Sequence, residues 1–565
     1  MSTREKIIKS IELDIVKFFS DSNIDSPIIK LERVDDFQHG DLSTSAALKY
    51  GKTLKKDPYG LAQDVASYLS KKQLDCVERV EAVKPGFINI FFTKEFFQRE
   101  LRKTLQDKNF GKNNFFKNRK IIVEHTQPNP FKEFHIGHFM NNVIGESIAR
   151  ILKVSGCKVK TASYHGDVGL HVAKAIWGSE HQGELRIMDI QSSARAYAVG
   201  SQMYDADPQI RKEINKINSN IYNRSDQKIN VLYDSGKKTS LDYFDSIYKK
   251  LGSHFDRHFY ESEVSDIGKN IVLKNTGKIF EKGDNGAIIF KGENFIPKTH
   301  TRVFLNAEGL PTYEAKELGL AKAKRDWWNY GESITITANE QDSFFDVTEV
   351  AIGKVFPELK GKLQHLSHGM LRLPSGKMSS RTGKVVTAEL LIEKVKEIVR
   401  QKAVDKNIDD TTIEIIAIGA LKYSILKQSI GSDIIYDFEK SISFDGDSGP
   451  YLQYSYARAQ SVLRKAKSEK IKPSLKKIPN EINHFVKQMH YFPEIVEKAG
   501  KEYEPHFIVL YLTELAREFN NYYAKNKIVD KADEFSPYKV ALTEAFSIIM
   551  KNGLWLLGIN SVEKM

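Results

Sequence analysis

The feature that most constrains this chain is a change of period. Ile121-Ile122-Val123-Glu124-His125 is a short apolar run of the kind that makes a strand buried on both faces, and it follows a polar stretch from Gln106 to Lys120. From Ile136 onward, Phe139, Met140, Val143, Ile144, Ile148, Ile151 and Leu152 recur at helical spacing. A strand, a loop and a long helix in that order open a doubly wound parallel sheet, and such sheets bind nucleotides where strand turns into helix.

The rest of the chain is organised around that unit. At about 100–200 residues per domain, 565 residues divide into three or more. Residues 1–112 alternate helical patterning with strand-like stretches, and Val77 to Phe92 reads as two β segments broken at Pro85-Gly86, so a small α+β domain is expected with a boundary near Lys117. A polar, lysine-rich stretch over about 179–270 reads as a mostly helical insertion, and strand signals return at Ala287 to Phe290 and Ser333 to Ala338. Residues 400–565 carry helical periodicity with almost no strand signal, which predicts an all-α domain.

Two cysteines, Cys76 and Cys157, cannot build a disulfide framework or a cysteine-rich zinc site. No apolar run approaches the roughly 18 residues of a membrane span. The first twenty residues form an amphipathic pattern with acids at Glu5, Glu12 and Asp14, which fits neither a secretory signal nor an acid-poor transit peptide. A cytoplasmic protein without membrane contact is expected. The surplus of 85 Lys+Arg over 73 Asp+Glu, +12, points towards a polyanionic partner without identifying one, the plain alternative being a merely basic soluble enzyme.

His135-Ile136-Gly137-His138 sits where the loop becomes the long helix. A helix N-terminus offers free N–H groups and partial positive charge, a natural phosphate site. Two histidines three apart can reach one anion, and Gly137 without a Cβ would let a flat ring such as adenine lie on the backbone. The plain alternative is a surface His-x-x-His pair at a helix start. A second segment, Gly376 to Gly383 (GKMSSRTG), is bracketed by glycines, follows Pro374 and carries two cations and three hydroxyls. Such a loop can close over a triphosphate and place Lys377 and Arg381 against charge that develops in the transition state; otherwise it is a solvated basic turn.

Together, HIGH and KMSSR resemble the paired signatures of class I aminoacyl-tRNA synthetases, and their context is similar to the arginyl-tRNA synthetases. The context consists of VEHTQPNPFKEFHIGHFMNN (Val123 to Asn142), SYHGDVG (Ser163 to Gly169), GLPTYEAKELG (Gly309 to Gly319) and GMLRLPSGKMSSRTGKVV (Gly369 to Val386), in that family's order. HGDLSTSAAL (His39 to Leu48) and KPGFINI (Lys84 to Ile90) resemble its N-terminal tRNA-contacting domain, and GPYLQYSYARAQS (Gly449 to Ser461) with LLGINSVEKM (Leu556 to Met565) its anticodon-binding domain.

The resemblance implies a multidomain α/β fold: an N-terminal α+β domain over 1–112, a Rossmann-type catalytic domain over 118–395 and a helical anticodon-binding domain over 400–565. It implies arginine–tRNA ligation, with ATP and Mg2+ as a substrate complex, L-arginine and tRNA(Arg) as partners, no prosthetic group, no zinc and a monomer. His135, His138, Lys377 and Lys132 would be catalytic. His135, Gly137, His138, Gly369, Met370, Lys377 and Ser379 would bind ATP. Glu124, Asn129, Tyr313, Glu317 and Gln341 fall on the arginine-binding positions, with Glu124, Tyr313 and Glu317 near the guanidinium and Asn129 and Gln341 at the α-amino and carboxylate end. A guanidinium pocket wants such carboxylates for bidentate pairing and a flat or hydroxyl partner, and Tyr313 and Glu317, at i and i+4, share a face if helical.

There are departures. Glu317 stands where the family usually has Asp, the loop lacks the second lysine of the class consensus, for which Lys132 would compensate, and His171 replaces the usual Gln without an assigned role. The family further implies that activation needs bound tRNA. No editing domain is expected, because a pocket that pairs a guanidinium leaves carboxylates unpaired with any other side chain.

In the C-terminal region, residues 451–565 hold 18 Lys+Arg against 13 Asp+Glu. Tyr451, Tyr454 and Arg458 are the tRNA-binding candidates, with Tyr456 beside them, since aromatic rings stack on splayed bases; the alternative places the tyrosines in the core. Two rival functions remain, a class I enzyme for cysteine or glutamate and an inactive RNA-binding paralogue. The missing cysteine-based zinc site and the pair Glu124 and Glu317 weigh against the first, and the intact HIGH histidines with Lys377 against the second.

Overall fold

The computed structural model describes residues 3–34, 36–72, 74–183, 189–372, 387–402, 408–443, 446–479 and 481–565. The chain divides into two compact units. One comprises Met1–Phe110, Arg458–Phe492 and Leu515–Ile549, the other Gly111–Ala457, Pro493–Glu514 and Met550–Met565.

The first unit begins with α1 (Thr3–Asp21), β1 (Glu32–Arg33), β2 (Leu42–Thr44), α2 (Ala46–Gly51), α3 (Pro58–Lys71), β3 (Val77–Val83), β4 (Phe87–Phe92) and α4 (Lys94–Gln106). Its sheet is antiparallel in the order β1-β2-β4-β3. The two segments expected around Pro85-Gly86 are β3 and β4, paired as a hairpin from Val83↔Phe87 to Val77↔Phe92. Its C-terminal part is helical, with the rings of Phe519 and Phe546 stacked at 4.0 Å and Phe485 packed beside both.

The second unit opens with β5 (Lys120–Glu124), α5 (Ile136–Val154), β6 (Lys158–His165) and α6 (Leu170–His181). Then come α7 (Ile190–Ala206), α8 (Pro208–Asn223), α9 (Gln227–Leu251), β7 (Arg257–Tyr260) and α10 (Glu261–Asn275). The helical stretch expected over 179–270 is therefore α7 to α9, and its last part returns to the sheet as β7. A three-stranded antiparallel sheet follows, from β8 (Glu281–Lys282), β9 (Ile288–Lys291) and β10 (Thr301–Leu305). Then come α11 (Tyr313–Trp327), β11 (Glu332–Ala338), α12 (Asp342–Val355), β12 (Leu363–His368), α13 (Ala388–Lys402) and α14 (Asp410–Leu426).

The main sheet is parallel with strand order β12-β11-β5-β6-β7. Ile121, Ile122 and Val123 of β5 are fully buried, because the central strand of a parallel sheet has helices on both faces. From β5 the chain runs outward through β6 to β7, then returns to the other side of β5 for β11 and β12. That reversal is a topological switch point, and it opens a crevice beyond the carboxyl ends of β5 and β11. The start of α5 stands there. Gly145, about two turns further along α5 than His138, packs on the His125 side chain so closely that a Cβ would lie 2.3 Å from its Cβ and Cγ.

Polar side chains of α5 and α14 hold the backbone of residues 555–558. Ser147 Oγ donates to Leu556 O at 2.9 Å, Arg150 Nη1 to Trp555 O at 2.8 Å, and Lys422 Nζ to Gly558 O and Leu251 O at 2.5 and 2.6 Å. Burial and the neighbouring Arg150 pull the Lys422 ammonium down to about 7.

Candidate active site

A cleft of about 690 Å³ opens at the switch point. Glu124 and Gln127 reach it from the end of β5, Asn129 from the loop, His135, Gly137 and His138 from the start of α5, and Tyr313 and Glu317 from α11. Thr337 and Gln341 come from the end of β11 and just beyond. All five expected arginine-binding residues and His135, Gly137 and His138 thus line one cleft.

The first turn of α5 is closed by its own histidines. His135 is the N-cap, and its Nδ1 accepts from Gly137 N–H at 3.1 Å, while His138 Nδ1 accepts from His135 N–H at 3.3 Å. The two rings stack with centroids 3.5 Å apart. Burial and then the Lys132 charge pull His135 down to about 4, and burial, His135 and Lys132 hold His138 well below the usual imidazole value. Both rings are therefore neutral at pH 7. With Nδ1 accepting, the proton sits on Nε2, which leaves each ring a neutral donor beside the positive end of the helix. Gly137 has a packing reason as well: a Cβ there would lie 3.0 Å from His135 Cε1.

Lys132 does not line the cleft; its Nζ lies over the Tyr197 ring, 4.9 Å from the centroid, and its charge bears on both histidines. Gly369 and Met370, just past β12, do not line it either. Gly369 packs against Ser432, and Met370 N–H donates to Asp433 Oδ1 at 2.8 Å. Lys377, Ser379 and Arg381 lie outside the described residues. Thr387, which follows that segment, forms a β-bridge with His135, and Ala388 N–H donates to Phe134 O at 2.9 Å.

The α11 wall is ionic. Glu124 Oε2 lies 2.6 Å from Lys324 Nζ, the two side chains being 2% and 5% exposed, and Glu124 Oε1 accepts from Gln127 Nε2 at 2.8 Å. Glu317 is on the same face of α11. Withdrawal from water and then Glu124 push its carboxyl up to about 8, with Lys324 working the other way. Glu261, at the start of α10, pairs with Lys316 at 2.5 Å. Asn129 Oδ1 accepts from Gly166 N–H at 3.1 Å. Among the described residues no group of three or more His, Cys, Asp or Glu is arranged to hold a metal ion.

The class I (R) tRNA synthetase catalytic domain matches residues 100–438, the arginyl tRNA synthetase N-terminal domain residues 5–92, and the DALR anticodon binding domain residues 452–565. The arginine–tRNA ligase of Borrelia hermsii is 31% identical, over 95% of this chain and 96% of its own. The chain belongs to the arginyl-tRNA synthetase family. The Treponema denticola arginine–tRNA ligase is 30% identical over 91% of both chains. The Thermus thermophilus arginyl-tRNA synthetase structure shares the fold, with a TM-score of 0.77 over 99% of this chain and 100% of its own, at 23% identity.

In this arginyl-tRNA synthetase the Gly166-Asp167 turn has a structural task. Asp167 is fully buried and accepts from Lys237 Nζ at 2.6 Å, Tyr233 OH at 2.9 Å and Ser262 N–H at 2.9 Å, which ties α9 and α10 to the end of β6. His171 donates from Nε2 to Gly166 O at 2.8 Å and so steadies the same turn. Sequence reasoning missed Lys324, Glu261 and Tyr164, which also bear on the cleft. Lys324 had a signal, since it lies seven residues after Glu317 on one helical face. Glu261 and Tyr164 had none, being brought in by the register of β6 and β7.

The tRNA-binding candidates differ among themselves. Tyr456 is 2% exposed and belongs to the core, whereas Tyr451 and Tyr454 are half-buried. Arg458 donates to Asn520 Oδ1 at 2.5 Å and its guanidinium lies 5.0 Å from the Tyr523 ring centroid.

Proposed function

We propose that this cleft is where arginine is joined to tRNA. The family makes the chain an arginine–tRNA ligase, with ATP, L-arginine and tRNA as substrates. In the first step a carboxylate oxygen of arginine attacks the α-phosphorus of ATP, the α–β phosphoanhydride bond breaks, and arginyl-adenylate and pyrophosphate form. In the second, a hydroxyl of the 3′-terminal ribose of tRNA(Arg) attacks the acyl carbon, AMP leaves, and the ester carries the arginine.

One observation carries the reading: residues suited to a guanidinium and residues suited to a phosphate chain line a single crevice at the switch point of a parallel sheet. Glu124, Tyr313 and Glu317 take the guanidinium, and Asn129 and Gln341 the α-amino and carboxylate groups. The neutral Nε2–H donors of His135 and His138, with the α5 N-terminus, meet the charge that grows on the α-phosphate, and Gly137 carries the adenine. Lys132 and Lys377 add positive charge, and Ser379 completes the nucleotide site. The bridge from Thr387 to His135 supports Lys377, since it brings the chain that follows the KMSSR segment to the start of α5. Mg2+ enters with ATP and no zinc is used.

The functional segments are 1–112 for tRNA contact, 118–395 for catalysis and 400–565 for the anticodon, where Tyr451, Tyr454 and Arg458 meet the nucleic acid. The enzyme works as a cytoplasmic monomer away from membranes. Among the described residues no helix is long and apolar enough to cross one. The test is charging of total tRNA with labelled arginine and ATP. Arginine should be attached, and Lys377→Ala should slow attachment about a hundredfold. Attachment of cysteine or glutamate instead, or tRNA binding without any charging, sinks the reading.

A further inference from the structure

We propose that Lys324 is a positioning residue that balances the charge of the arginine subsite, so that arginine enters the cleft as a cation in exchange for the proton of Glu317. The inference rests on the arginine subsite proposed above and adds its charge bookkeeping.

Glu124 already has a fixed counter-cation in the resting protein, Lys324, at 2.6 Å. Its other oxygen is held by Gln127. Lys324 Nζ also lies 3.5 Å from Ser333 Oγ on β11, so the ammonium is anchored between α11, β5 and β11. Glu317 has no such partner: among the described residues no cation forms an ion pair with it. It borders both the large cleft and a small cavity of about 20 Å³, where Lys324 and Glu349 lie beside it. That cavity has room for about one water molecule and none for a counter-ion.

The groups facing Glu317 are mostly acidic. Glu124 bears on it from β5, Glu261 from α10 and Glu314 from its own helix, and the Tyr164 hydroxyl from β6 belongs to the same cluster. Glu349 faces the small cavity from α12, its own carboxyl pushed up to about 7 by burial and Asp346. The nearby cations are engaged, Lys316 with Glu261 and Arg302 with Glu314. A second ionised carboxylate beside Glu124, only partly exposed at the cleft wall and with no cation of its own, is costly. The resting subsite is therefore neutral as a whole: Glu124 negative, Lys324 positive, Glu317 protonated. A guanidinium brings one positive charge. Neutrality is restored when the Glu317 O–H bond breaks, its electron pair stays on the carboxylate and the proton leaves to solvent, which also supplies a second carboxylate for the fork of donors. Without Lys324, Glu124 alone would neutralise the incoming cation and Glu317 would keep its proton.

Titration calorimetry of L-arginine into the full chain, in pH 7 buffers of different ionisation enthalpy, counts the protons. The expected result is release of about 0.9 proton per arginine, as a carboxyl titrating near 8 requires, with affinity rising up to about tenfold per pH unit from pH 6 and levelling above pH 8. Lys324→Met should still bind arginine, but with release near zero and a flat pH profile, and Lys324→Arg should restore both. Glu317→Gln should bind more weakly and release none. Absence of release in the unaltered chain, or undiminished release in Lys324→Met, overturns the inference. If Lys324→Met does not fold, the pH profiles of the unaltered chain and Glu317→Gln decide in the same way. Arginine that is charged to tRNA yet binds without proton release overturns this inference alone. A chain that charges no arginine overturns both it and the function beneath it.

Discussion

On the proposed reading, an anion at the start of α5 would meet neutral rings and backbone N–H groups, whereas a cation along α11 would meet a carboxylate that already has an ammonium against it. Both regions border one cleft, yet they handle charge differently. The α5 turn holds no net charge of its own at pH 7 and can favour negative charge only as that charge develops, because fixed dipoles need no reorganisation. The α11 wall holds full charges and must keep their sum near zero, because an unpaired ion out of water is costly. The first arrangement suits a transition state and the second suits a ground state that recognises one side chain.

The largest effect should come from breaking the ionic wall. Glu124→Gln removes a guanidinium partner and strands Lys324, so kcat/KM for arginine should fall about a thousandfold or more and stability by about 3–5 kcal/mol, read by pyrophosphate exchange with tRNA present and by urea unfolding. Adding Lys324→Met to that variant should return much of the stability without the activity. At the other region, His138→Ala should lower kcat about a hundred- to a thousandfold and leave the KM for arginine nearly unchanged. A matching rise in that KM would show that the two regions are not separate in function.

Acid and base should act on the two with opposite sign. His125, fully buried beneath α5, is pulled by burial down to about 4, below the 6.5 of an unfolded histidine. The unfolded chain then takes up protons first as pH falls, so the stability His125 contributes is complete above pH 6.5 and is lost on the way to pH 4, about 2 kcal/mol of it by pH 5. His135 acts in the same direction. Glu317, raised to about 8, contributes stability that is present below pH 4.5 and lost as pH rises through 8. Urea unfolding across pH 5–8.5, with His125→Gln and Glu317→Gln as controls, separates the slopes. The smallest effect is expected from Gly137→Ala. Its Cβ crowds the His135 ring, and the KM for ATP should rise a few fold, about 1 kcal/mol.

The α5 region was legible because it is local. HIGH is contiguous, its helix follows from the 3.6-residue period, and a cap needs only its neighbours. The parallel sheet followed from the strand–helix alternation, with IIVEH becoming β5 and Ser333 to Ala338 falling within β11. Tyr313 and Glu317 were legible as one helical face. The partner of Glu124 was not, since the helical face that Lys324 shares with Glu317 does not reveal that it meets a strand some two hundred residues earlier in the chain. The burial of Tyr456 beside half-buried Tyr451 and Tyr454 was likewise a matter of helix packing that interleaved tyrosines do not reveal.

The hooks on residues 555–558 concern how the protein is made. Helix α5, which carries the histidines, leaves the ribosome hundreds of residues before Trp555, Leu556 and Gly558, whose carbonyls its Arg150 and Ser147 and the Lys422 of α14 must hold. A nascent or prematurely released chain that stops short of Trp555 leaves a buried ammonium with one carbonyl in place of two, a guanidinium short of a partner and a buried hydroxyl without its acceptor. Helix α5 then lacks two of its side-chain hydrogen bonds, which should leave an incomplete translation product more open to proteases than the full chain.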